Sequence, residues 1–160
     1  MTAPSSADHL SPDGRPVPPV ALRRLSVNSD DAAVFFDEGQ RLFRALEARL
    51  AESGGGFVTA LRILDLDCGA GFIARWPRFA PGTVFVGLDE SSAAVAWCRA
   101  ELYGRFEVWA PGAPLPLEDG AFDLVYAAGT LTVPTAEIER VLAPGGRLVL
   151  ADEIPVKGKA

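Results

Sequence analysis

The segment LRILDLDCGAGF, residues 61–72, joins an apolar run to two carboxylates and a group of small residues. The apolar run is typical of a buried strand, and the small residues after it predict a tight turn. Gly69 and Gly71 allow the backbone of this turn to take positive φ angles and to approach a ligand closely. Asp65 and Asp67 place carboxylates at the end of the strand, where the polar groups of a ligand would meet them.

A third carboxylate, Asp89, ends a second apolar run, VFVGLD, and lies 20 residues after Gly69. Ligands of parallel α/β sheets bind at the carboxyl ends of the strands, and an acid in this position accepts hydrogen bonds from the hydroxyls of a ribose. The sequence therefore predicts a ligand that contains adenosine. Asp89 has a second interpretation, in which it caps the following helix through Ser91 and Ser92.

The elements that position these residues alternate between strands and helices along the chain. The predicted strands cover residues 62–66, 83–88, 105–110, 121–128 and 147–153, and the predicted helices cover 29–53, 91–104 and 135–146 with its closing turn. A further short helix is predicted to begin near Gly71 and to end by Pro77. We expect an α/β fold with right-handed crossovers and a Rossmann-like, doubly wound, mainly parallel sheet.

The composition places limits on the class of protein. A chain of 160 residues with a net charge of −6 predicts one domain and argues against nucleic acid as the main partner, since that affinity comes from basic residues. No secretion signal is visible in the first residues, and no apolar stretch approaches the ~20 residues that span a bilayer. Cys68 and Cys98 are too few and too isolated for a disulfide framework or a zinc site, which predicts two reduced cysteines in a cytoplasmic protein.

The domain organisation follows from the distribution of proline and apolar residues. Residues 1–28 are rich in proline and small polar residues, which predicts a flexible N-terminal tail that is either disordered or loosely docked. Residues 29–160 form the predicted domain. Within it, residues 29–53 form an amphipathic helix that covers one face of the sheet.

Four segments resemble, in order and in approximate spacing, the motifs of class I S-adenosylmethionine-dependent methyltransferases of the small-molecule, type 11 branch. The segments are ILDLDCGAG, VFVGLDES, APLPLEDGAFDLVYA and EIERVLAPGGRLVLAD, and the resemblance covers about residues 57–153. It implies the strand order 3-2-1-4-5, without the last two strands that the family usually has. It also implies S-adenosylmethionine as cofactor, S-adenosylhomocysteine as product and a small-molecule acceptor.

The resemblance also implies which residues would contact each part of the cofactor. Asp65 would receive the ammonium of the methionine part, directly or through water. The other implied contacts are Asp67, Cys68 and Gly69 for the methionine part, Asp89 for the ribose, Glu90, Pro111, Gly112 and Ala113 for the adenine, and Ala127 with Ala128 for the sulfonium and the acceptor.

Two residues depart from the pattern of the family. Asp67 stands where the first glycine of the motif is expected, so its carboxylate would either turn toward the ammonium or lie close to the cofactor's own carboxylate. Such repulsion costs several kcal/mol at an effective dielectric constant of about 20. Pro111 stands where many relatives have the acid that binds the adenine amino group, and proline offers neither a side-chain acceptor nor a backbone N–H.

The last predicted strand, residues 147–153, would lie at an edge of the sheet. An apolar edge with unpaired backbone groups pairs readily with another chain. We therefore predict that this edge is covered, either in a homo- or hetero-oligomer that forms through it or by the proline-rich N-terminal tail folded back.

Three classes of function are consistent with these residues. The favoured one is an S-adenosylmethionine-dependent methyltransferase of small molecules, active alone or only with a partner subunit. The second is a catalytically inactive methyltransferase-like subunit that stabilises or regulates a partner protein. The third is a nicotinamide-binding oxidoreductase fragment, because residues 69–74 fit the pattern G-x-G-x-x-G/A. The sequence singles out no catalytic base.

Overall fold

The computed structural model describes residues 11–129 and 131–151. Within them, five strands form one parallel sheet in the order β3-β2-β1-β4-β5, which confirms the predicted fold class and strand order. The strands are β1 (Arg62–Leu66), β2 (Val84–Asp89), β3 (Arg105–Val108), β4 (Phe122–Ala127) and β5 (Leu142–Leu150). The helices are α1 (Val20–Arg23), α2 (Ala32–Glu52), α3 (Ser92–Glu101) and α4 (Thr135–Val141).

Strand β1 lies at the centre of the sheet and pairs with β2 on one side and β4 on the other. It is covered on both faces, because Ile63 packs in a core with α2 and α3 while Leu64 packs in a second core with α4 and the loop after β3. Burial on both faces explains why the strand reads as an almost continuous apolar run. The exception is Asp65, which lies beside Gly87 of β2 and Tyr126 of β4.

The chain after β1 forms a series of turns, so the short helix predicted to begin near Gly71 is wrong. Asp67, Gly69 and Gly71 have φ angles of 59°, 53° and 74°, which a right-handed helix does not accommodate. Only a few residues then separate Gly71 from Pro77, too few for a stable helix. Helix α2 packs against these turns instead.

Residues 11–31, which we name the N-terminal strap, lie against the domain. Val17 and Val27 pack onto the core on the α2 side of the sheet, and Ser11 is buried. Of the two alternatives predicted for residues 1–28, the described part is docked, because a buried arginine later in the chain binds the strap. Residues 1–10 of that predicted tail lie outside the described residues.

Within residues 11–129 and 131–151, strands β3 and β5 form the two edges of the sheet. Strand β5 begins at Leu142, earlier than predicted, and its pairing with β4 shifts register between Phe122 and Leu124. The predicted strand end at residues 152–153 lies outside the described residues. Among the residues that are described, no helix has the length and apolar character required to cross a membrane.

Candidate functional site

A cavity of about 340 Å³ opens at the carboxyl ends of β1 and β2, where ligands of such sheets bind. Five of the predicted site residues line it, and they come from three separate parts of the sequence. Its wall is formed by Leu25, Ser26, Asp67, Gly69, Asp89, Glu90, Ser91, Pro111 and Thr132. The motif residues after β1 and β2 therefore meet in one place, as the sequence predicts for a single ligand site.

The turn after β1 takes the shape that a glycine-rich motif would give it, although its first position is an aspartate. Asp67 has a φ of 59° and, among the described residues, is the only non-glycine with a positive φ. Aspartate tolerates this left-handed conformation better than most residues do. The backbone of the turn is thus preserved, and the substitution adds a carboxylate to the cavity.

Asp89 connects the two segments that form the floor of the cavity. One carboxylate oxygen accepts a hydrogen bond from the backbone N–H of Gly69 at 2.8 Å, and the other accepts from the N–H of Ser91 at 2.8 Å. Asp89 therefore fixes the glycine turn as well as the start of α3, whose N-cap is Ser91. Each carboxylate oxygen has a second lone pair, so the predicted bond to a ribose hydroxyl is compatible with this structural role.

The cavity is strongly acidic. Its titratable side chains are those of Asp67, Asp89 and Glu90, and no lysine or arginine lines it. Partial burial, together with the negative charges of Asp89 and Glu90, raises the pKa of Asp67 above its ordinary value. Such a wall favours the positively charged part of a ligand over an anionic part.

Asp65 lies behind the cavity wall rather than on it. Its side chain is buried and accepts a hydrogen bond from the hydroxyl of Tyr126 at 2.7 Å. Burial raises the pKa of Asp65 well above its ordinary value, and Asp67 and Asp89 add to this shift, while the bond from Tyr126 opposes it. Burial and the neighbouring Asp65 also raise the pKa of Tyr126. Contact between Asp65 and an ammonium group stays a prediction.

The remaining predicted site residues surround the cavity without lining it. Cys68 and Ala127 are buried in the two cores, and Gly112 and Ala113 lie in the loop after β3. Gly71 faces α3, since a Cβ there would lie 2.3 Å from Leu102. It therefore serves the packing of the turn rather than the wall of the cavity.

The two cysteines lie together beneath the glycine turn, although they are 30 residues apart in sequence. Both are free, and Cys98 and Cys68 each donate toward the carbonyl of Gly69, with sulfur-to-oxygen distances of 3.3 and 3.7 Å. A hydrogen bond with the thiol of Cys98, together with burial, raises the pKa of the Cys68 thiol. The pair therefore supports the turn as neutral thiols.

Four residues of the cavity wall were not predicted as site residues. Ser91 was interpreted only as a helix cap, and Thr132 follows β4 in a segment without any motif. Leu25 and Ser26 belong to the N-terminal strap, which the sequence predicts to be flexible. Nothing in the local sequence marks these two residues, because their position depends on contacts with residues far along the chain.

Comparisons with known proteins identify the family of this chain. A family model described as "Methyltransferase domain" matches residues 64–150. Demethylmenaquinone methyltransferase of Thermus thermophilus is 41% identical over 106 residues, which cover 59% of this chain and 48% of that protein. The chain spans about half the length of the curated relatives it matches.

Solved structures give the same result for the fold. The S-adenosylmethionine-dependent methyltransferase of Mesorhizobium loti matches with a TM-score of 0.53 and 30% identity, over 68% of this chain and 54% of that one. A protein solved in complex with the Trm112 methyltransferase activator of Haloferax volcanii matches with a TM-score of 0.56 over 74% of this chain and 54% of that one. At 22% identity the second likeness concerns the fold alone.

Proposed function

Since this chain belongs to the Methyltransferase domain family, we propose that it binds S-adenosylmethionine in the acidic cavity and transfers its methyl group to a small molecule. One observation carries the proposal: residues assigned to the cofactor from separate motifs meet on the wall of one cavity. These residues are Asp67, Gly69, Asp89, Glu90 and Pro111.

The residues of the cavity fit the chemistry of this cofactor. Asp89 ends β2 with a buried carboxylate that has lone pairs left for the two hydroxyls of a ribose. Gly69 lines the cavity without a side chain, which supports close approach of the amino-acid part to the turn. The carboxylates of Asp67 and Glu90 suit a ligand that carries an ammonium and a sulfonium.

Bound S-adenosylmethionine supplies a methyl group that is already activated for in-line displacement. The work left to the chain is to bind the cofactor, to orient the acceptor and to keep the reacting groups in line. Thr132 on the cavity wall and Ala128 after β4 lie in the segment that we assign to the acceptor. A base is needed only where the acceptor must lose a proton, and we assign none.

We further propose that the chain acts as a homo- or hetero-oligomer through the β5 edge. The edge is apolar over Leu148, Val149 and Leu150, and Leu148 is 36% exposed. An edge strand presents unpaired backbone groups that another strand can pair with. These properties support a partner on this side of the sheet.

Asp67 and Pro111 also favour the second candidate function, an inactive methyltransferase-like subunit. Both residues line the cavity. Asp67 adds a negative charge, and Pro111 provides no side-chain acceptor for the adenine amino group. The carboxylate of the cofactor would be repelled by Asp67 unless the ammonium lies between them. The two candidates therefore differ in whether the cavity of the wild-type chain binds the cofactor.

Isothermal titration calorimetry with S-adenosylmethionine and S-adenosylhomocysteine distinguishes these candidates. We expect the wild type to bind both ligands with Kd below about 1 mM, the affinity of a weak but specific site. Asp67→Gly is the informative variant, and Glu101→Gln on the exposed surface of α3 is the matched control for loss of a charge. Binding by Asp67→Gly alone would support the inactive subunit, and binding by neither protein would contradict the cofactor assignment.

A further inference from the structure

The N-terminal strap forms one wall of the proposed cofactor cavity. Leu25 and Ser26 line the cavity together with Asp67 and Asp89. Ser26 packs directly on the glycine turn, because a Cβ added at Gly69 would lie 2.9 Å from the Ser26 hydroxyl oxygen. A ligand that approaches the backbone of Gly69 therefore meets the strap as well.

A buried ion pair fixes the beginning of the strap to the domain. The guanidinium of Arg75 donates to both carboxylate oxygens of Asp13, at 2.9 Å from Nε and 2.8 Å from Nη2. It also donates to the hydroxyl of Ser11 at 2.8 Å and to the carbonyl of Pro16 at 3.2 Å. Two parallel hydrogen bonds from the guanidinium to one carboxylate fix the orientation of Asp13 relative to Arg75 as well as their distance.

Arg75 belongs to the same turn that carries the glycine motif. Its backbone N–H donates to the carbonyl of Gly71 at 3.3 Å, and its side chain is 0% exposed. The guanidinium lies over the ring of Phe36 at 4.7 Å, and its Nη1 atom has no hydrogen-bond partner among the described residues. Removal of the Asp13 charge would leave a buried cation without its counter-ion, so the pair is strongly coupled to the position of the strap.

Around the cavity-lining residues, the strap is held by Val17 and Val27, which pack onto the core, and by exposed ion pairs. Helix α1 buries none of its residues. The pair between Arg24 and Asp30 is exposed on both sides, and such pairs contribute little to stability. The position of Ser26 over Gly69 therefore depends on Asp13 and Arg75 more than on the local surface pairs.

We propose that Leu25 and Ser26 are cofactor-binding residues and that Asp13 and Arg75 are a positioning pair that holds them over Gly69. The inference rests on the proposed function. Ser26 lines the cavity, and its hydroxyl can donate a hydrogen bond to a polar group of the ligand or accept one from it. Leu25 is 54% exposed and offers apolar surface to a ribose or a base. Release of the ligand then requires the strap to move.

The test compares Asp13→Asn with the control Asp30→Asn, which removes the exposed ion pair of the same strap. Stopped-flow displacement of S-adenosylhomocysteine measures the dissociation rate, at a temperature where all proteins are fully folded. We expect Asp13→Asn to release the ligand about tenfold faster, within the range of typical site-to-site couplings. Hydrogen exchange without ligand should show faster exchange over residues 20–31 in Asp13→Asn, and Asp30→Asn should behave as the wild type.

Each outcome bears on the inference. If folded Asp13→Asn releases the ligand at the wild-type rate and its amides exchange at the wild-type rate, the inference is overturned. If Asp13→Asn fails to fold, the binding of Leu25→Ala and Ser26→Ala tests the inference instead. Weaker binding of the ligand by both variants supports it. Unchanged binding by both overturns it. No binding by the wild type would overturn the inference together with the proposed function, whereas binding that is indifferent to the strap variants overturns the inference alone.

Discussion

Asp65 and Asp67 are two residues apart, a spacing that would place both on one face of a continuous strand. Because β1 ends at Leu66 and Asp67 has a left-handed φ of 59°, the two carboxylates have different surroundings. Asp65 points into the core beneath the turn and bonds to Tyr126, whereas Asp67 lines the cavity in a left-handed conformation. The first is a buried carboxyl that supports the sheet, and the second is a charge added to a ligand site. Their different roles lead to two separate predictions.

Replacement of Asp65 by asparagine should change how stability depends on pH. The pKa of Asp65 is raised in the folded state above its ordinary value of 3.8. The folded state therefore binds more protons than the unfolded state above about pH 4, and stability falls as pH rises toward the folded pKa. Asp65→Asn should lose this part of the pH dependence. Thermal unfolding from pH 4 to pH 8 measures it, and identical profiles for the two proteins would contradict the prediction.

Replacement of Asp67 tests the left-handed backbone. Glycine adopts a φ of 59° without steric cost, whereas alanine in this conformation costs roughly 1–2 kcal/mol. Urea denaturation should give Asp67→Gly a free energy of unfolding equal to or above that of the wild type, and Asp67→Ala one about 1 kcal/mol below it. If Asp67→Ala had the same free energy of unfolding as Asp67→Gly, residue 67 would not have the left-handed backbone conformation.

At the scale of elements, helix α2 packs against the turn that follows β1. Gly39 of α2 is buried, and a Cβ there would lie 2.2 Å from the carbonyl oxygen of Phe72. That carbonyl also accepts a hydrogen bond from the indole of Trp76 at 3.1 Å. The glycine therefore permits a close contact between the helix and the turn that carries the site.

Gly39→Ala tests this contact. Alanine gains up to about 1 kcal/mol in helix propensity, but the added methyl group would strike backbone, and overpacking of this kind costs about 1–3 kcal/mol. We expect a net loss of stability in urea denaturation. Exposed Ala48→Gly on the same helix is the control, with a loss of up to about 1 kcal/mol from propensity alone. An alanine variant more stable than the wild type would contradict the packing.

Short-range signals account for what the sequence could predict. The strands follow from apolar runs, and the sites of Asp67, Gly69 and Asp89 follow from their place at strand ends. The helix predicted after Gly71 is wrong because Gly69 and Gly71 take left-handed φ angles and too few residues remain before Pro77. The sequence does not decide between a disordered and a docked tail, because Arg75 and Asp13 are 62 residues apart and no periodicity or motif reports such a contact.

On the scale of the whole molecule, the two edges of the sheet provide a matched comparison. Val108 of β3 is 49% exposed and Leu148 of β5 is 36% exposed. We expect light scattering to give the wild type a mass above the 16.9 kDa of one chain. A lysine on an edge strand opposes pairing, so Leu148→Lys should lower that mass and Val108→Lys should leave it unchanged. A wild-type monomer would contradict self-association through β5.

The central claim is that the cavity beside Asp89 binds the cofactor, and amide chemical shifts of the labelled chain during titration with S-adenosylhomocysteine test it most directly. We predict saturable shifts at Gly69, Glu90 and Ser91, which surround the cavity. An absence of saturable shifts would contradict the claim. Shifts confined to the separate cavity beside Gly56 and Arg147, at the opposite end of the sheet, would contradict it as well.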